Sequence, residues 1–204
     1  MTITVYVYAP VSGTIVATPN GYCSGGSHPY VCQRYPYDIS CSAGAAIQFK
    51  ASSVPAIQSI RTTYTGSGVC YRGSEIPTPW DAKLMVEFFL QPNAVELVGI
   101  VCYAHVNSPV SNNVYNVNTK VIGYIPSNCG CACASGCKCG GYNNRAEERG
   151  YCADTGGNCA EKCPCRCCYG GPHTHMEADF NAILGPNNCN GYVSTSSWMY
   201  KWFY

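Results

Sequence analysis

The chain has 204 residues, of which 17 are cysteine and 17 are tyrosine, and only 11 % are charged. This length is sufficient for one domain with a hydrophobic core of its own. The formal net charge of +1 argues against a long-range electrostatic attraction to nucleic acid or to an anionic membrane surface. The high tyrosine, valine and isoleucine content argues against intrinsic disorder, and no run of 18 or more apolar residues predicts a membrane span.

Short β-strands separated by turn residues are predicted along most of the chain, because β-branched and aromatic residues fall into short runs between glycine, proline, serine and asparagine. In chain order the predicted strands are Met1–Tyr8, Thr14–Thr18, an extended stretch opened by Asp38, Ala46–Lys50, Ile60–Tyr64, Lys83–Leu90, Val95–Tyr103, Lys120–Ile125 and, as a strand or a segment packed against a partner, the aromatic tail Trp198–Tyr204. Turns are predicted at Ser12–Gly13 and Ala43–Gly44, and loops over Pro19–Pro36 and residues 65–82. We therefore expect a mainly β fold of antiparallel sheet, in a single domain covering residues 1–204.

The clearest predicted element is a β-hairpin. Lys83–Leu90 and Val95–Tyr103 are rich in β-forming residues, and Gln91-Pro92-Asn93-Ala94 between them has the composition of a turn. A helix over Asp81–Gln91 is the alternative, because the apolar residues there are nearly continuous. We favour the hairpin, since Pro92-Asn93 interrupts the helical pattern and the downstream run is strongly β.

Cysteine is concentrated in one segment of the chain. Eleven of the 17 cysteines lie between Cys129 and Cys168, where large apolar residues are nearly absent. The segment 127–170 is therefore expected to be held together by disulfide bonds, with a thiolate metal cluster at its C-x-C runs as the alternative. The pairing does not follow from the sequence, and the odd total leaves at least one cysteine free, metal-bound or paired between chains.

The cysteine content also bears on location, since it favours an oxidising or extracellular destination. The N-terminal residues Met1–Tyr8 read as a strand and lack the basic and apolar regions of a secretory signal. Either a signal has been removed or the protein leaves the cell by another route, and release within a phage particle on lysis fits the second case. We expect an extracellular or virion-associated protein.

Histidine is scarce, and its four positions are candidates for a metal site. They are His28, His105, His173 and His175. His173 and His175 form an H-x-H pair, whose imidazoles would share one face of a strand and either approach one metal ion or divide metal binding and substrate chemistry between them. Together with Asp38, these side chains are sufficient for a zinc site with an open coordination position. Taken singly, each has a structural alternative as a surface or strand-end histidine or, for Asp38, as a turn carboxylate.

Three segments in this order resemble the zinc-dependent M23 peptidoglycan endopeptidases, the lysostaphin-type and β-lytic enzymes. The family pattern is a histidine followed by an aspartate, then a Y-x-H segment, then G-P-H-x-H. Asp38 with its downstream glycine turn is similar to the first segment, Tyr103-Ala104-His105 to the second, and Gly171–Glu177 to the third. Val117–Ile125 is similar to the stretch before the final segment, so the resemblance covers about residues 28–180 apart from the cysteine-rich segment.

The first metal ligand departs from the usual family spacing. Arg34 stands four residues before Asp38, where the common family pattern has its histidine, whereas His28 lies ten residues before Asp38. This longer spacing is similar to that of the β-lytic branch. If His28 does not reach the metal, the resemblance instead implies a relative without catalysis.

The resemblance implies an M23-like fold in which the cysteine-rich segment is an inserted loop beside the active site. It implies Zn²⁺ bound by His28, Asp38 and His175, with a water in the fourth position. It makes His105 and His173 the catalytic pair that takes the water proton and either stabilises the oxyanion or protonates the leaving amine. The implied activity is hydrolysis of peptide bonds in bacterial peptidoglycan, by an extracellular enzyme or at the tail tip of a phage.

Two other functions remain open. A catalytically inactive relative would be a structural or wall-binding module of a virion or extracellular assembly, and a metal-storage protein would hold several metal ions in the cysteine-rich segment. The implied partner of the enzyme is a peptide cross-bridge or stem of peptidoglycan, with virion or assembly proteins as further partners. Tyr35, Tyr37 and Tyr103 are expected either to line the substrate groove or to pack in the core.

Overall fold

The computed structural model describes residues 2–23, 33–65, 83–125, 172–185 and 188–204, together with the backbone of four short strands between 132 and 166. The predictions at His28, over most of the loop 65–82 and over the greater part of the cysteine-rich segment lie outside these residues. No helix in the described part of the chain is long and apolar enough to cross a membrane.

The described residues form antiparallel β-strands and one 3-10 turn, which confirms the predicted mainly β, antiparallel fold. The strands are β1 (Thr4–Tyr8), β2 (Gly13–Thr18), β3 (Gly21–Tyr22), β4 (Arg34–Ser40), β5 (Ala46–Ser52), β6 (Ser59–Thr65), β7 (Lys83–Gln91), β8 (Val95–Ala104), β9 (Asn113–Tyr115), β10 (Thr119–Tyr124), β11 (Ala132–Cys133), β12 (Cys137–Cys139), β13 (Cys152–Asp154), β14 (Cys165–Arg166), β15 (His173–Ala178), β16 (Ile183–Leu184), β17 (Tyr192–Val193) and β18 (Trp198–Phe203). The 3-10 turn is Pro92–Ala94.

Two large sheets make up most of the fold. The larger has the strand order β17-β2-β4-β15-β8-β7-β6-β9, with β3 paired to β2, and the smaller has the order β10-β5-β1-β18-β16. Within the cysteine-rich segment, β11 pairs with β14 and β12 pairs with β13. It follows that β4, β15 and β8 are consecutive neighbours inside the larger sheet.

The inner faces of the two large sheets contact each other through aromatic side chains. Phe88 of β7 lies edge-on to Trp202 of β18 with ring centroids 4.9 Å apart, and Tyr37 of β4 lies 5.6 Å from Tyr200 of β18. All four side chains are at most 1 % exposed. The Trp202 Nε1–H donates to Asp179 Oδ1 at 2.8 Å, so this indole is both packed and hydrogen-bonded.

The predicted hairpin is confirmed as β7 and β8, joined by the 3-10 turn, and the alternative helix is wrong over its described part. The register runs from Leu84 opposite Tyr103 to Gln91 opposite Val95. Asn93 lies in the turn with a φ of 59°, a left-handed conformation in which asparagine is enriched. The other strands predicted near residues 1–8, 14–18, 46–50, 60–64, 120–125 and in the tail are confirmed as β1, β2, β5, β6, β10 and β18.

The prediction that Asp38 opens an extended stretch is wrong. The loop that is expected to reach Pro36 ends earlier in the structure. Since β4 begins at Arg34, Asp38 lies inside the strand, between β15 on one side and β2 on the other. Tyr35 has a φ of 59°, and the register between β4 and β15 shifts in this region. This irregularity is a β-bulge, a place where a strand tolerates proline because its missing N–H costs no ladder bond. The prediction is wrong because a proline inside a bulged strand gives the same local signal as a proline in a loop.

A disulfide joins Cys23 to Cys189, outside the cysteine-rich segment. Cys23 directly follows β3, and Cys189 precedes β17. Both strands pair with β2 along the edge opposite β4, so the bridge links two parts of the chain that lie side by side on the larger sheet. Among the described cysteines, Cys41 is a free thiol, and burial raises the pKa of this thiol to about 11.

Candidate functional site

Three polar side chains alternate along β15. His173, His175 and Glu177 occupy every second position of the strand, so they face the same side of the sheet. Each is at most 1 % exposed. The predicted placement of the H-x-H pair on one strand face is confirmed, and a carboxylate extends the row.

The two neighbours of β15 bring other predicted site residues to the same place. Asp38 of β4 is the register partner of His175, and on the opposite side His175 pairs with Ala104, the last residue of β8. His105 follows Ala104 directly, and its ring centroid lies 4.5 Å from that of His173 and 6.0 Å from that of His175. We name this group the histidine–carboxylate cluster; its members are Asp38, His105, His173, His175 and Glu177.

His175 is held between two carboxylates. Its Nδ1 lies 2.7 Å from Asp38 Oδ1, and its Nε2 lies 2.6 Å from Glu177 Oε1. The second oxygen of Glu177, Oε2, accepts a hydrogen bond from the backbone N–H of Gln33 at 2.6 Å. All three side chains are at most 1 % exposed. Water therefore does not screen these charge-assisted contacts.

The charges of this arrangement favour a cation. The oxygens of an ionised carboxylate only accept hydrogen bonds. Each ring nitrogen of His175 therefore has to carry a proton or a metal ion where it meets a carboxylate. Two buried negative groups beside one imidazole are costly without positive charge between them. A doubly protonated ring supplies that charge, and so does a metal ion at Nδ1 with a proton at Nε2. A divalent cation on the Asp38 side of the ring is thus one of two ways to balance the charges of the cluster.

Two of the three predicted zinc ligands lie together. Asp38 Oδ1 and His175 Nδ1 are atoms of the kind that zinc binds in proteins. Two ligand atoms on one tetrahedral zinc lie roughly 3.4 Å apart, so one ion could contact both if the 2.7 Å separation widened by less than about 1 Å. Within the described residues no group of three or more histidine, cysteine, aspartate or glutamate side chains is arranged to hold a metal. His28 lies outside those residues, and its role as the third ligand stays a prediction.

His105 adopts a backbone conformation that is uncommon for a residue with a side chain. Its φ is 60°, in the left-handed region, which costs roughly 1–2 kcal/mol for an L-residue. The turn comes immediately after β8 ends at Ala104 and leaves the His105 ring beside His173. Six other described non-glycine residues also have a positive φ, so the conformation by itself assigns no function to His105.

Arg34 stands where the family pattern usually has its first ligand, and it lies outside the cluster. Its guanidinium carbon lies 3.8 Å from the ring centroid of Phe180 in a cation–π contact, and the residue is exposed. The bulge at Tyr35 interrupts the strand alternation between Arg34 and Asp38. Where the family pattern usually has a ligand, this chain therefore has an arginine that contacts Phe180 at the surface.

Tyr37 and Tyr103 lie in the core and do not line a groove. Both are 0 % exposed, and burial raises the pKa of both phenols above the ordinary value. Both pair with Met176, which alternates with His175 along β15 and so faces the opposite side of the sheet. For these two residues the expectation of core packing is confirmed and that of groove lining is wrong.

Glu177 and Gln33 belong to the site, although no role is assigned to them from the sequence. A signal for Glu177 exists, because the period-two spacing of His173, His175 and Glu177 predicts a third polar side chain on the same strand face. Gln33 contributes a backbone N–H, for which side-chain patterns carry no signal.

Comparison with known proteins adds no family assignment. Models of protein families, curated proteins and solved structures yield no match to this chain. The functional interpretation therefore depends on the residues of the cluster and their geometry.

Proposed function

We propose that the chain is a zinc-dependent endopeptidase that cleaves peptide bonds of bacterial peptidoglycan, with the histidine–carboxylate cluster as its active site. The observation that carries the proposal is the buried contact between Asp38 and His175, 2.7 Å apart on adjacent strands. The rings of His105 and His173 lie beside it. Two atoms suited to zinc thus stand next to two groups capable of proton transfer.

The proposed roles follow from the chemistry of each side chain. Asp38 and His175 would hold the zinc ion, with His28 as the third ligand. When bound, zinc would polarise the scissile carbonyl and acidify a water molecule. Of His105 and His173, one imidazole accepts the proton of the attacking water, and the other either stabilises the developing oxyanion or protonates the leaving amine. The two rings are 4 % and 1 % exposed.

The substrate class comes from the resemblance to peptidoglycan endopeptidases. The residues that support it are Asp38, Tyr103-Ala104-His105 and Gly171–Glu177, which follow one another in the order of the family pattern. Such an enzyme acts on cell walls, so we propose an extracellular or virion-associated location. The disulfide between Cys23 and Cys189 is compatible with an oxidising environment.

An inactive structural or wall-binding module is the second candidate, and Arg34 is the observation that favours it. A guanidinium cannot serve as a zinc ligand, and Arg34 is engaged with Phe180 on the surface. The two candidates differ in one measurable property, because the module would bind peptidoglycan and leave its peptide bonds intact.

Digestion of purified peptidoglycan tests the proposal. The full chain reconstituted with zinc is expected to release new amino groups, and His175→Ala is expected to lower the initial rate by at least about 100-fold, since it removes a metal ligand. Glu96→Gln is the control, because Glu96 is exposed and lies outside the cluster. Equal rates for wild type and His175→Ala would exclude the cluster as the active site. Sedimentation of the protein with peptidoglycan, without new amino groups, would support the module instead.

A further inference from the structure

Glu177 contacts two groups that lie far apart in the chain. Its Oε1 lies 2.6 Å from His175 Nε2, and its Oε2 accepts the Gln33 N–H at 2.6 Å. The carboxylate is 0 % exposed. Both oxygens are thus engaged at distances typical of strong, charge-assisted hydrogen bonds.

We propose that Glu177 is a positioning residue, which fixes the orientation of the His175 ring and leaves Nδ1 facing Asp38. The hydrogen-bond part of this proposal stands on the contacts alone, and its consequence for metal binding rests on the proposed function. Glu177 acts through His175 and has no assigned contact with substrate.

The orientation follows from the two edges of the imidazole. Asp38 lies at Nδ1 and Glu177 lies at Nε2. Rotating the ring by half a turn would exchange Nδ1 with Cδ2 and Nε2 with Cε1, so that both carboxylates would face carbon atoms. With Glu177 accepting the Nε2 proton, Nδ1 is the nitrogen that remains for a metal ion, which is the usual function of a carboxylate behind a metal-binding histidine.

The second oxygen of Glu177 ties the same ring to the start of β4. Gln33 directly precedes Arg34, the first residue of β4, and follows the segment 24–32, which carries His28. The backbone N–H of Gln33 and the ring of His175 therefore share one rigid acceptor. This contact ties Gln33, directly before β4, to the carboxylate that also contacts the ring of His175.

Glutamine at position 177 separates this role from simple packing. The side chain keeps its shape but has one acceptor oxygen and one donor amide group. The Gln33 N–H only donates, so the oxygen would face Gln33 and the amide group would face His175 Nε2. Nε2 would then have to accept, so the only ring proton would lie on Nδ1. A metal ion at Nδ1 would have to displace that last proton, whereas the wild-type ring keeps its Nε2 proton when metal binds.

Ring-nitrogen NMR of the full ¹⁵N-labelled chain at one fixed pH tests this. In wild type, with zinc and without it, His175 is expected to carry a proton on Nε2, and Glu177→Gln is expected to lose that proton and to weaken zinc binding by about 10- to 100-fold. Glu96→Gln, an exposed control, is expected to change neither quantity. His175→Ala assigns the signals.

The outcomes separate the proposed role of Glu177 from the proposed zinc enzyme. An unprotonated Nε2 in wild type, or an unchanged spectrum and zinc affinity in Glu177→Gln, would overturn the role of Glu177. A wild-type chain that binds no zinc would overturn the proposed enzyme, while the metal-free spectra would still decide the hydrogen bond. If Glu177→Gln does not fold, the wild-type spectrum alone remains decisive.

Discussion

His105 and His173 place two imidazole rings with centroids 4.5 Å apart beside the ring of His175. Histidine is the side chain that both accepts and donates a proton near neutral pH. Two adjacent rings can therefore divide the acid and base roles of amide hydrolysis between them. Placing the His105 ring there requires a left-handed backbone. The free-energy cost of that backbone conformation can be measured separately from the chemistry of the ring.

We expect His105→Gly to exceed His105→Ala in free energy of unfolding by about 1 kcal/mol. Both changes remove the imidazole, but only glycine also removes the Cβ that makes a φ of 60° unfavourable. Urea unfolding followed by fluorescence measures the difference, and the alanine variant is the matched control for loss of the ring. Equal stabilities, or a more stable alanine variant, would show that the backbone at this position is unstrained.

The grouping of four side chains is predictable for a chemical reason, since each differs in chemistry from its surroundings and the H-x-H spacing puts two of them on one strand face. They are Asp38, His105, His173 and His175. The role of Glu177 is not predictable, because one of its two contacts is a backbone N–H at Gln33, separated from it by 144 residues. No side-chain pattern in the sequence encodes that contact.

The secondary-structure elements differ in how far local sequence defines them. β7 and β8 are predictable because two β-rich runs and the turn between them are contiguous. β4 is poorly predictable because Pro36 and the bulge at Tyr35 weaken its local signal, while its partners β2 and β15 lie elsewhere in the chain. The position of Asp38 opposite His175 therefore depends on tertiary pairing.

Packing between the two large sheets depends on Gly99 of β8. A Cβ built on Gly99 would lie 2.6 Å from Trp202 Nε1 and 2.8 Å from Phe88 Cζ. Both distances are far shorter than van der Waals contact. The missing side chain is what allows the Trp202 indole to lie against β8.

Gly99→Ala is expected to lower the free energy of unfolding by about 1–3 kcal/mol, the usual effect of overpacking a close-packed core. Denaturant unfolding measures it. Trp202→Phe removes the indole nitrogen that the new methyl group would meet, so the cost of Gly99→Ala should be smaller in that background. An identical cost in both backgrounds would indicate that the Trp202 contact is not the cause.

Distant parts of the chain are joined by contacts that the sequence does not reveal. β1 pairs with β18 in the smaller sheet, and Cys23 is bonded to Cys189 beside the larger one. The cysteine count predicts cross-linking in general, but strand order and disulfide pairing depend on which segments meet in three dimensions. The choice between disulfides and a metal cluster in the cysteine-rich segment stays a prediction.

The Cys23→Ser, Cys189→Ser double variant is expected to unfold with a free energy about 2–5 kcal/mol below that of the oxidised wild type. The bridge joins residues 166 positions apart, and such a link restricts the unfolded chain strongly. Urea unfolding without reductant measures this and leaves the other cysteines unchanged. An unaltered unfolding midpoint and slope would mean that the bridge adds no net stability.

Calorimetric titration of the full chain with zinc tests the proposal that Asp38 and His175 together bind a zinc ion. Wild type, Asp38→Ala and His175→Ala share the same cysteine-rich segment, so any zinc bound there cancels in the comparison. We expect wild type to bind one more zinc ion per chain than either variant. If all three proteins bind the same number of zinc ions, Asp38 and His175 do not form a zinc site.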